Sequence, residues 1–120
     1  MADTLTITVP RHEDCTFSVT AKQDDMPVRG NASAIDDETD RIVEDGILDR
    51  LDRGDVWAWA DVTVACRVPG WQLVGHAYLG GCSYADREDF CAPGGYCDDL
   101  KREAYADFIR TLEALQRMTA

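Results

Sequence analysis

The chain has 120 residues, enough for one folded domain and too few for a second with its own core. Its 23 Asp and Glu residues outnumber its 12 Lys and Arg residues, which gives a formal net charge of −11. This balance excludes a typical nucleic-acid-binding protein, because binding to phosphates needs a basic surface. It also disfavours attachment to anionic membranes.

Targeting signals and cysteine usage predict a cytoplasmic protein. The segment Met1–Asp3 begins acidic and no apolar segment follows it, so we predict no secretory signal. No stretch approaches the roughly 18 apolar residues that a membrane span needs. The five cysteines match no disulfide framework, and we expect them to be reduced. We therefore expect a single domain over residues 1–120.

The chain opens with the alternation that is typical of strands. Every second residue of Thr4–Val9 is apolar, and the same alternation recurs in Cys15–Ala21 after a short polar connection. Two such runs predict a β-hairpin. Residues 22–31 contain Pro27 and Gly30, so we predict a loop there.

The next segment, Ser33–Gly54, changes to a helical period. Gly54 suits the residue just past the end of a helix. Gly46 costs about 1 kcal/mol relative to Ala, and it marks either a close contact or a break. The apolar stripe of this predicted helix comprises Ile35, Ile42, Val43, Ile47, Leu48 and Leu51.

A second β pair follows. Val56–Val68 alternates without interruption, Pro69 and Gly70 predict a turn, and Trp71–Leu79 is the partner strand. We expect the glycines at 80–81 to end it.

The C-terminal part is predicted to be helical. Ser83, followed three residues later by Asp86, predicts the cap of a short helix, and an amphipathic helix is predicted from about Asp98. The element order is then ββα-ββα. We expect an α+β fold, with a four-stranded antiparallel sheet and two main helices packed on one face.

Acidic residues are concentrated in the first predicted helix. Between Asp36 and Asp55, nine acids stand against three arginines. The helix dipole favours anions at the N-terminus, but Asp45, Asp49 and Asp52 lie toward the end where it opposes them. Two interpretations remain open: a hydrated outer face, or an anionic surface that binds a basic partner.

A second acidic group follows the second β pair, and Asp24 and Asp25 form a smaller third group. Carboxylates on one helix recur every ~5–6 Å, whereas duplex DNA carries about one charge per 1.7 Å of its axis. A DNA-like surface therefore needs more than one acidic group. The predicted partner-binding residues are Asp36, Asp37, Asp40, Glu44, Asp45, Asp49, Asp52, Asp86, Glu88 and Asp89.

Three tryptophans offer a different surface. Trp57 and Trp59 fall opposite the apolar row of their predicted strand, so their rings are either exposed or packed in a second small core. Tryptophan is enriched at binding hot spots. The alternative function is thus a protein-interaction module that binds through Trp57, Trp59 and Trp71, with acidity serving solubility only.

No motif of an enzyme or a metal site stands out. His76, Cys82, Cys91 and Cys97 lack the tight spacing of structural zinc sites. In an extended strand, His76 lies too far from Cys82 for a Cys–His nucleophile. Phosphate-binding loops and hydrolase motifs are missing. We predict no catalytic residue, no metal and no cofactor, and a protein that is not an enzyme.

Three short motifs resemble those of small proteins from bacteriophages and conjugative elements. They are Gly54–Ala60 (GDVWAWA), Leu79–Tyr84 (LGGCSY) and Pro93–Leu100 (PGGYCDDL). The resemblance covers roughly residues 54–115 and transfers no active-site residue. Small acidic proteins of such elements include anti-CRISPR and anti-restriction inhibitors, several of which are DNA mimics.

The resemblance implies an accessory protein of a mobile element, and it favours the anionic-surface interpretation. We therefore predict a non-enzymatic inhibitor of a bacterial defence complex, in the cytoplasm of the host cell. Its acidic surface would occupy a basic nucleic-acid-binding groove. A CRISPR effector is the favoured target, and a restriction enzyme is the second. We expect no direct contact with nucleic acid or membrane. The sequence is compatible with a homodimer.

Overall fold

The computed structural model describes residues 8–119 and shows a mixed α+β fold. Within these residues an antiparallel sheet has three strands in the order β1-β2-β3, namely Thr16–Gln23, Ala60–Arg67 and Val74–Cys82. The helices are α1 (Asp37–Asp52), α2 (Arg87–Phe90) and α3 (Tyr96–Thr119). Two short 3-10 turns, His12–Asp14 and Val56–Ala58, precede β1 and β2.

The first predicted strand falls mostly outside the described residues. Residues 4–7 of Thr4–Val9 are not described, and residues 8–10 form no strand. The predicted strand Cys15–Ala21 is confirmed as β1, which pairs with β2 and places Val19 opposite Val64. The fourth strand and the ββα-ββα order are not seen in the described part of the chain.

The second predicted β pair is confirmed as the β2–β3 hairpin. The Trp71 N–H donates to the Val68 carbonyl at 3.0 Å, which closes a four-residue turn. Pro69 and Gly70 occupy its central positions, and Gly70 has a φ of +85°. Proline followed by a residue with positive φ is the pattern of a type II turn, so the sequence specifies this connection locally.

Both ends of this β pair differ from the prediction. Residues 56–58 form a 3-10 turn because the Asp55 carboxylate accepts the Trp57 N–H at 3.2 Å. At the other end, β3 continues through Gly80 and Gly81 to Cys82. The register shifts between Ala60 and Val62, and Gly81 adopts a φ of +65° at this irregularity. The glycines therefore bend the strand instead of ending it.

Helix α3 covers the apolar face of the sheet. Val62, Val64 and Cys66 of β2 are fully buried on this face, together with Phe108 of α3. The backbones meet at Gly75, where an added Cβ would lie 2.2 Å from the carbonyl oxygen of residue 104 and 2.6 Å from the nitrogen of residue 108. A glycine in a strand often marks such a close approach.

Helix α1 packs elsewhere, so the prediction of two helices on one face is wrong for α1. It contacts the 3-10 turn before β2 and contributes Ile47 to a second small core. The other buried members of this core are Val28, Ala58 and Trp59.

The predicted apolar stripe of α1 is divided by this packing. Leu48 and Leu51 pack against the second core, but Ile35 and Ile42 remain 75% and 67% exposed. The helix runs through Gly46 without a break, and a Cβ added there would have no neighbour within 4 Å. Within the described residues, Gly46 therefore marks neither a close contact nor a break in the helix.

Candidate partner-binding surface

The ten predicted acids lie on two helices and their caps. Seven belong to α1 or to its N-cap, and three belong to α2 or to its N-cap. Eight of them are exposed, Asp40 is half-buried and Glu44 is buried. The sequence therefore identified a set of carboxylates that is mostly accessible, and each must be judged by what it contacts.

Two of the acids are caps. Asp36 accepts the Thr39 N–H at 2.7 Å at the start of α1, and this backbone hydrogen bond lowers the pKa of Asp36. Asp86 accepts the Asp89 N–H at 2.8 Å and caps α2, so the cap is Asp86 and not the predicted Ser83. Capping satisfies N–H groups that have no partner inside the helix.

Two further acids hold the backbone just before their helix. Asp40 accepts the Ile35 N–H at 2.9 Å, and Asp89 accepts the Ala85 N–H at 3.0 Å. These carboxylates fix the entry of the chain into α1 and α2. Of the two, Asp89 is exposed and keeps its charge accessible to solvent.

Glu44 is the one predicted site residue that the structure removes from the surface. It is only 7% exposed, because its carboxylate accepts the Gly30 N–H at 2.8 Å and pairs with Arg29 at 3.1 Å. The Gly30 hydrogen bond and then the Arg29 guanidinium lower the pKa of Glu44. Glu44 therefore attaches the loop before α1 to the helix, and we do not include it in the proposed binding surface.

Arg29 also contacts Asp45. One guanidinium nitrogen lies 2.6 Å from an Asp45 oxygen, and both side chains are exposed. The hydrogen bonds to Asp45 and Glu44 raise the pKa of Arg29. Asp45 stays at the surface, but this ion pair compensates part of its charge.

Four of the five exposed acids of α1 form a stripe along its outer face, and the fifth, Asp37, lies outside it. With 3.6 residues per turn, Glu38, Asp45, Asp49 and Asp52 fall within a sector of about 60°, opposite the buried Ile47. We call these four residues the α1 acid stripe. At a rise of 1.5 Å per residue it is about 21 Å long. Glu38 was missing from the predicted site, although the helical period alone places it there.

The stripe carries more charge than the helix neutralises. Within residues 8–119, the side chains of Glu38, Asp49 and Asp52 form no ion pair or hydrogen bond. Arg41 and Arg53 are exposed at the two sides of the stripe, and they too form no ion pair in this part of the chain. The stripe therefore presents hydrated carboxylates, flanked by two guanidinium groups.

Arg50 joins α1 to the segment that leads into the second acidic group. Its Nε lies 2.8 Å from the Asp55 carboxylate, and its Nη2 donates to the Tyr84 carbonyl at 2.5 Å. The Tyr84 N–H in turn donates to the Trp57 carbonyl at 2.9 Å. The C-terminal half of α1 is thus joined to the segment that enters α2, which carries Asp86, Glu88 and Asp89.

The three tryptophans pack in or against the two cores. Trp59 is 3% exposed and donates its indole N–H to the Met26 carbonyl at 2.7 Å, so the second-core interpretation is confirmed for Trp59. Trp57 and Trp71 are half-buried at the edge of the main core. Their ring centroids lie 5.6 Å and 5.8 Å from those of Phe90 and Phe108.

The histidine and cysteine candidates do not form one site. Cys82 packs in the main core, whereas the pairing of His76 with Ala65 places His76 on the opposite face of the sheet. Burial raises the pKa of the Cys82 thiol to about 11, which keeps it protonated near neutral pH. Over residues 8–119, no three His, Cys, Asp or Glu side chains gather as metal ligands would.

Comparison with protein-family models, curated proteins and solved structures gives no match to this chain. Among the described residues, none of the helices combines the length and the apolar character needed to cross a membrane.

Proposed function

We propose that this protein is a non-enzymatic inhibitor that occupies a basic nucleic-acid-binding groove of a bacterial defence complex. The observation that carries the proposal is the α1 acid stripe, in which Glu38, Asp49 and Asp52 are exposed without a partner in the described chain. Carboxylates that served the fold would be expected to cap, pair or bridge, as Asp36 and Glu44 do.

The second acidic group supplies charge that α1 alone lacks. Four carboxylates over about 21 Å of helix give roughly one charge per 5 Å, which is sparse beside duplex DNA with about one per 1.7 Å. The Arg50 contact with Tyr84 joins α1 to the segment that carries the acids of α2, and we propose that both acidic groups contribute to the binding surface. A groove that normally binds phosphates would attract both groups, and its counterions would be released on binding.

The class of target follows from the charge and from the motif resemblance. A CRISPR effector is the first candidate because its guide and target strands lie in a positively charged channel. A restriction enzyme is the second. Both place the protein in the cytoplasm of a bacterial cell.

The alternative of an aromatic interaction module needs accessible indole rings. Trp59 offers none, because its ring lies in the second core and its N–H is bonded to Met26. Trp57 and Trp71 are half-buried, and their rings pack on Phe90 and Phe108. The tryptophans therefore offer no surface as exposed as the carboxylates of the α1 acid stripe.

The test is a binding titration against purified CRISPR effectors and restriction enzymes, each with and without its nucleic acid. The proposal predicts binding to the empty groove, loss of binding when duplex DNA is added, and a steep decrease in affinity between 50 and 200 mM salt of about 10³-fold or more. A protein that does not bind nucleic acid serves as the control partner in the same titration.

Two results would count against the proposal. Binding that is unaffected by competing DNA would place the contact outside the groove. Affinity that is nearly independent of salt would show that exposed carboxylates do not carry it, because such charges are screened over about 8–10 Å near physiological salt.

A further inference from the structure

Two cysteines are in contact at the turn that joins α2 to α3. The Cys97 thiol donates a hydrogen bond to the Cys91 sulfur, with 3.3 Å between the two Sγ atoms. Cys97 lies in the first turn of α3 and is fully buried, whereas Cys91 follows α2 and is half-buried. Residues 92–95, with sequence APGG, connect them.

Cys91 is also reachable from solvent. It lines an open cavity of about 260 Å³ at the junction of β1, α2 and α3. Two cations, Arg87 and Lys101, line the same cavity, together with one acid, Glu88. On a chain with a net charge of −11, this cavity is a local site where a small anionic molecule can approach a thiol.

We propose that Cys91 and Cys97 are a redox-active dithiol that small anionic disulfides, of which oxidised glutathione is an example, convert to an intramolecular disulfide. The inference is independent of the proposed inhibitory function. It assigns the cavity as the entry site for the oxidant, Cys91 as the attacking thiol and Cys97 as the resolving thiol.

The exchange balances in two steps. The Cys91 thiolate attacks one sulfur of the small disulfide, which forms a mixed disulfide on Cys91 and releases one small thiolate. Cys97 then loses its proton to solvent and attacks the Cys91 sulfur, which releases the second small thiolate. Overall, two cysteine thiols are oxidised by two electrons and one disulfide is reduced to two thiols.

The environments of the two thiols set this order. Burial is the largest cause that raises the pKa of Cys97, to about 11, so Cys97 remains a thiol that can donate to a Cys91 thiolate. Cys97 also lacks a solvent-exposed surface for a first attack. Because its deprotonation is unfavourable near neutral pH, the second step is expected to be slower than the first and to accelerate as pH rises.

The experiment incubates the full chain with oxidised glutathione, blocks the remaining thiols by alkylation and maps tryptic peptides by mass. Cleavage after Lys and Arg places Cys91 and Cys97 together on peptide 88–101, with the other cysteines on peptides 12–22, 54–67 and 68–87. An internal disulfide in 88–101 therefore shows as the loss of two hydrogens from a single peptide.

We expect that disulfide to form while Cys66 and Cys82 react at least about tenfold more slowly, since burial raises their pKa values to about 12 and about 11. A Cys97→Ser variant should accumulate one glutathione on Cys91, and a Cys91→Ser variant should leave peptide 88–101 unmodified. A Cys15→Ser variant is the control and should behave like the native chain.

The proposal is overturned if peptide 88–101 stays reduced while the folded chain is oxidised elsewhere. It is equally overturned if Cys97→Ser acquires no adduct on Cys91. Should either variant fail to fold, the peptide map of the native chain decides by itself.

Discussion

Arg50 donates a hydrogen bond from its guanidinium group to the carbonyl oxygen of Tyr84 at 2.5 Å, across a sequence separation of 34 residues. The same side chain contacts the Ala85 carbonyl at 3.3 Å and the Asp55 carboxylate at 2.8 Å. One arginine thereby joins the helix that carries the α1 acid stripe to the segment that enters α2.

Replacing Arg50 should therefore weaken the fold. We expect Arg50→Ala to lower the free energy of unfolding by about 2 kcal/mol, because hydrogen bonds from a charged group are lost and the Tyr84 carbonyl loses a partner. Urea unfolding measures this difference. Arg53→Ala is the matched control, since Arg53 is exposed and forms no ion pair in the described chain; it should change stability by less than about 0.5 kcal/mol.

The buried Glu44 predicts a pH dependence of stability. Its folded-state pKa is lowered, by the Gly30 N–H first and by Arg29 second. A lowered folded pKa adds stability above the ordinary glutamate pKa of about 4.3, and this stability is lost as pH falls through the folded value. Native protein should thus be more stable than Glu44→Gln at pH 7.

The urea midpoints of the native chain and of Glu44→Gln should then converge as pH falls below about 4. Measurements between pH 7 and pH 3 provide the comparison. A difference that is constant over this range would contradict the assigned role of the Glu44 charge.

Gly75 allows β3 and α3 to approach each other closely. A Cβ would lie 2.2 Å from a backbone carbonyl oxygen of α3, so neither side can yield without moving the helix. We expect Gly75→Ala to lower the free energy of unfolding by about 3 kcal/mol. Thermal unfolding measures it, and an unchanged midpoint would show that α3 does not cross β3 at this residue.

Replacing Gly46 with alanine should have the opposite effect on stability from replacing Gly75. It lies inside α1, and a Cβ there meets no atom within 4 Å. Gly46→Ala is expected to raise stability by about 1 kcal/mol, because alanine has the higher helix propensity and loses less chain entropy. A lower unfolding midpoint in the same assay would mean that the α1 surface is covered by something at this residue.

Local signals in the sequence predicted β1, the β2–β3 hairpin and the helices α1 and α3. The alternation of Val62, Val64 and Cys66 and the Pro69–Gly70 turn specify the β2–β3 hairpin over a few residues. The amphipathic pattern of α3 does not predict burial along its whole length, since Leu112 is buried but Leu115 is 47% exposed. Periodicity thus identifies an element better than it identifies the extent of its burial.

Contacts between distant segments explain the errors. Glu44 is buried because Arg29 and Gly30, from a preceding loop, supply its hydrogen bonds, which no property of α1 indicates. Ile42 remains exposed because α1 packs through the face that carries Ile47. The helical period alone could have predicted the α1 acid stripe, whereas the Arg50 contact with Tyr84 depends on tertiary packing.

The central claim is that the α1 acid stripe contacts a basic groove. The most direct measurement compares the affinity of two charge-reversed variants for the target complex, Asp49→Lys/Asp52→Lys in the stripe and Glu103→Lys/Glu113→Lys on α3. Both pairs are exposed, and both variants change the net charge equally. The stripe variant should fold normally, because lysines suit the C-terminal end of a helix. We expect the stripe variant to lose affinity for the target complex by about tenfold or more, and the α3 variant to change little. Equal losses of affinity for both variants, or no loss for the stripe variant, would contradict the central claim.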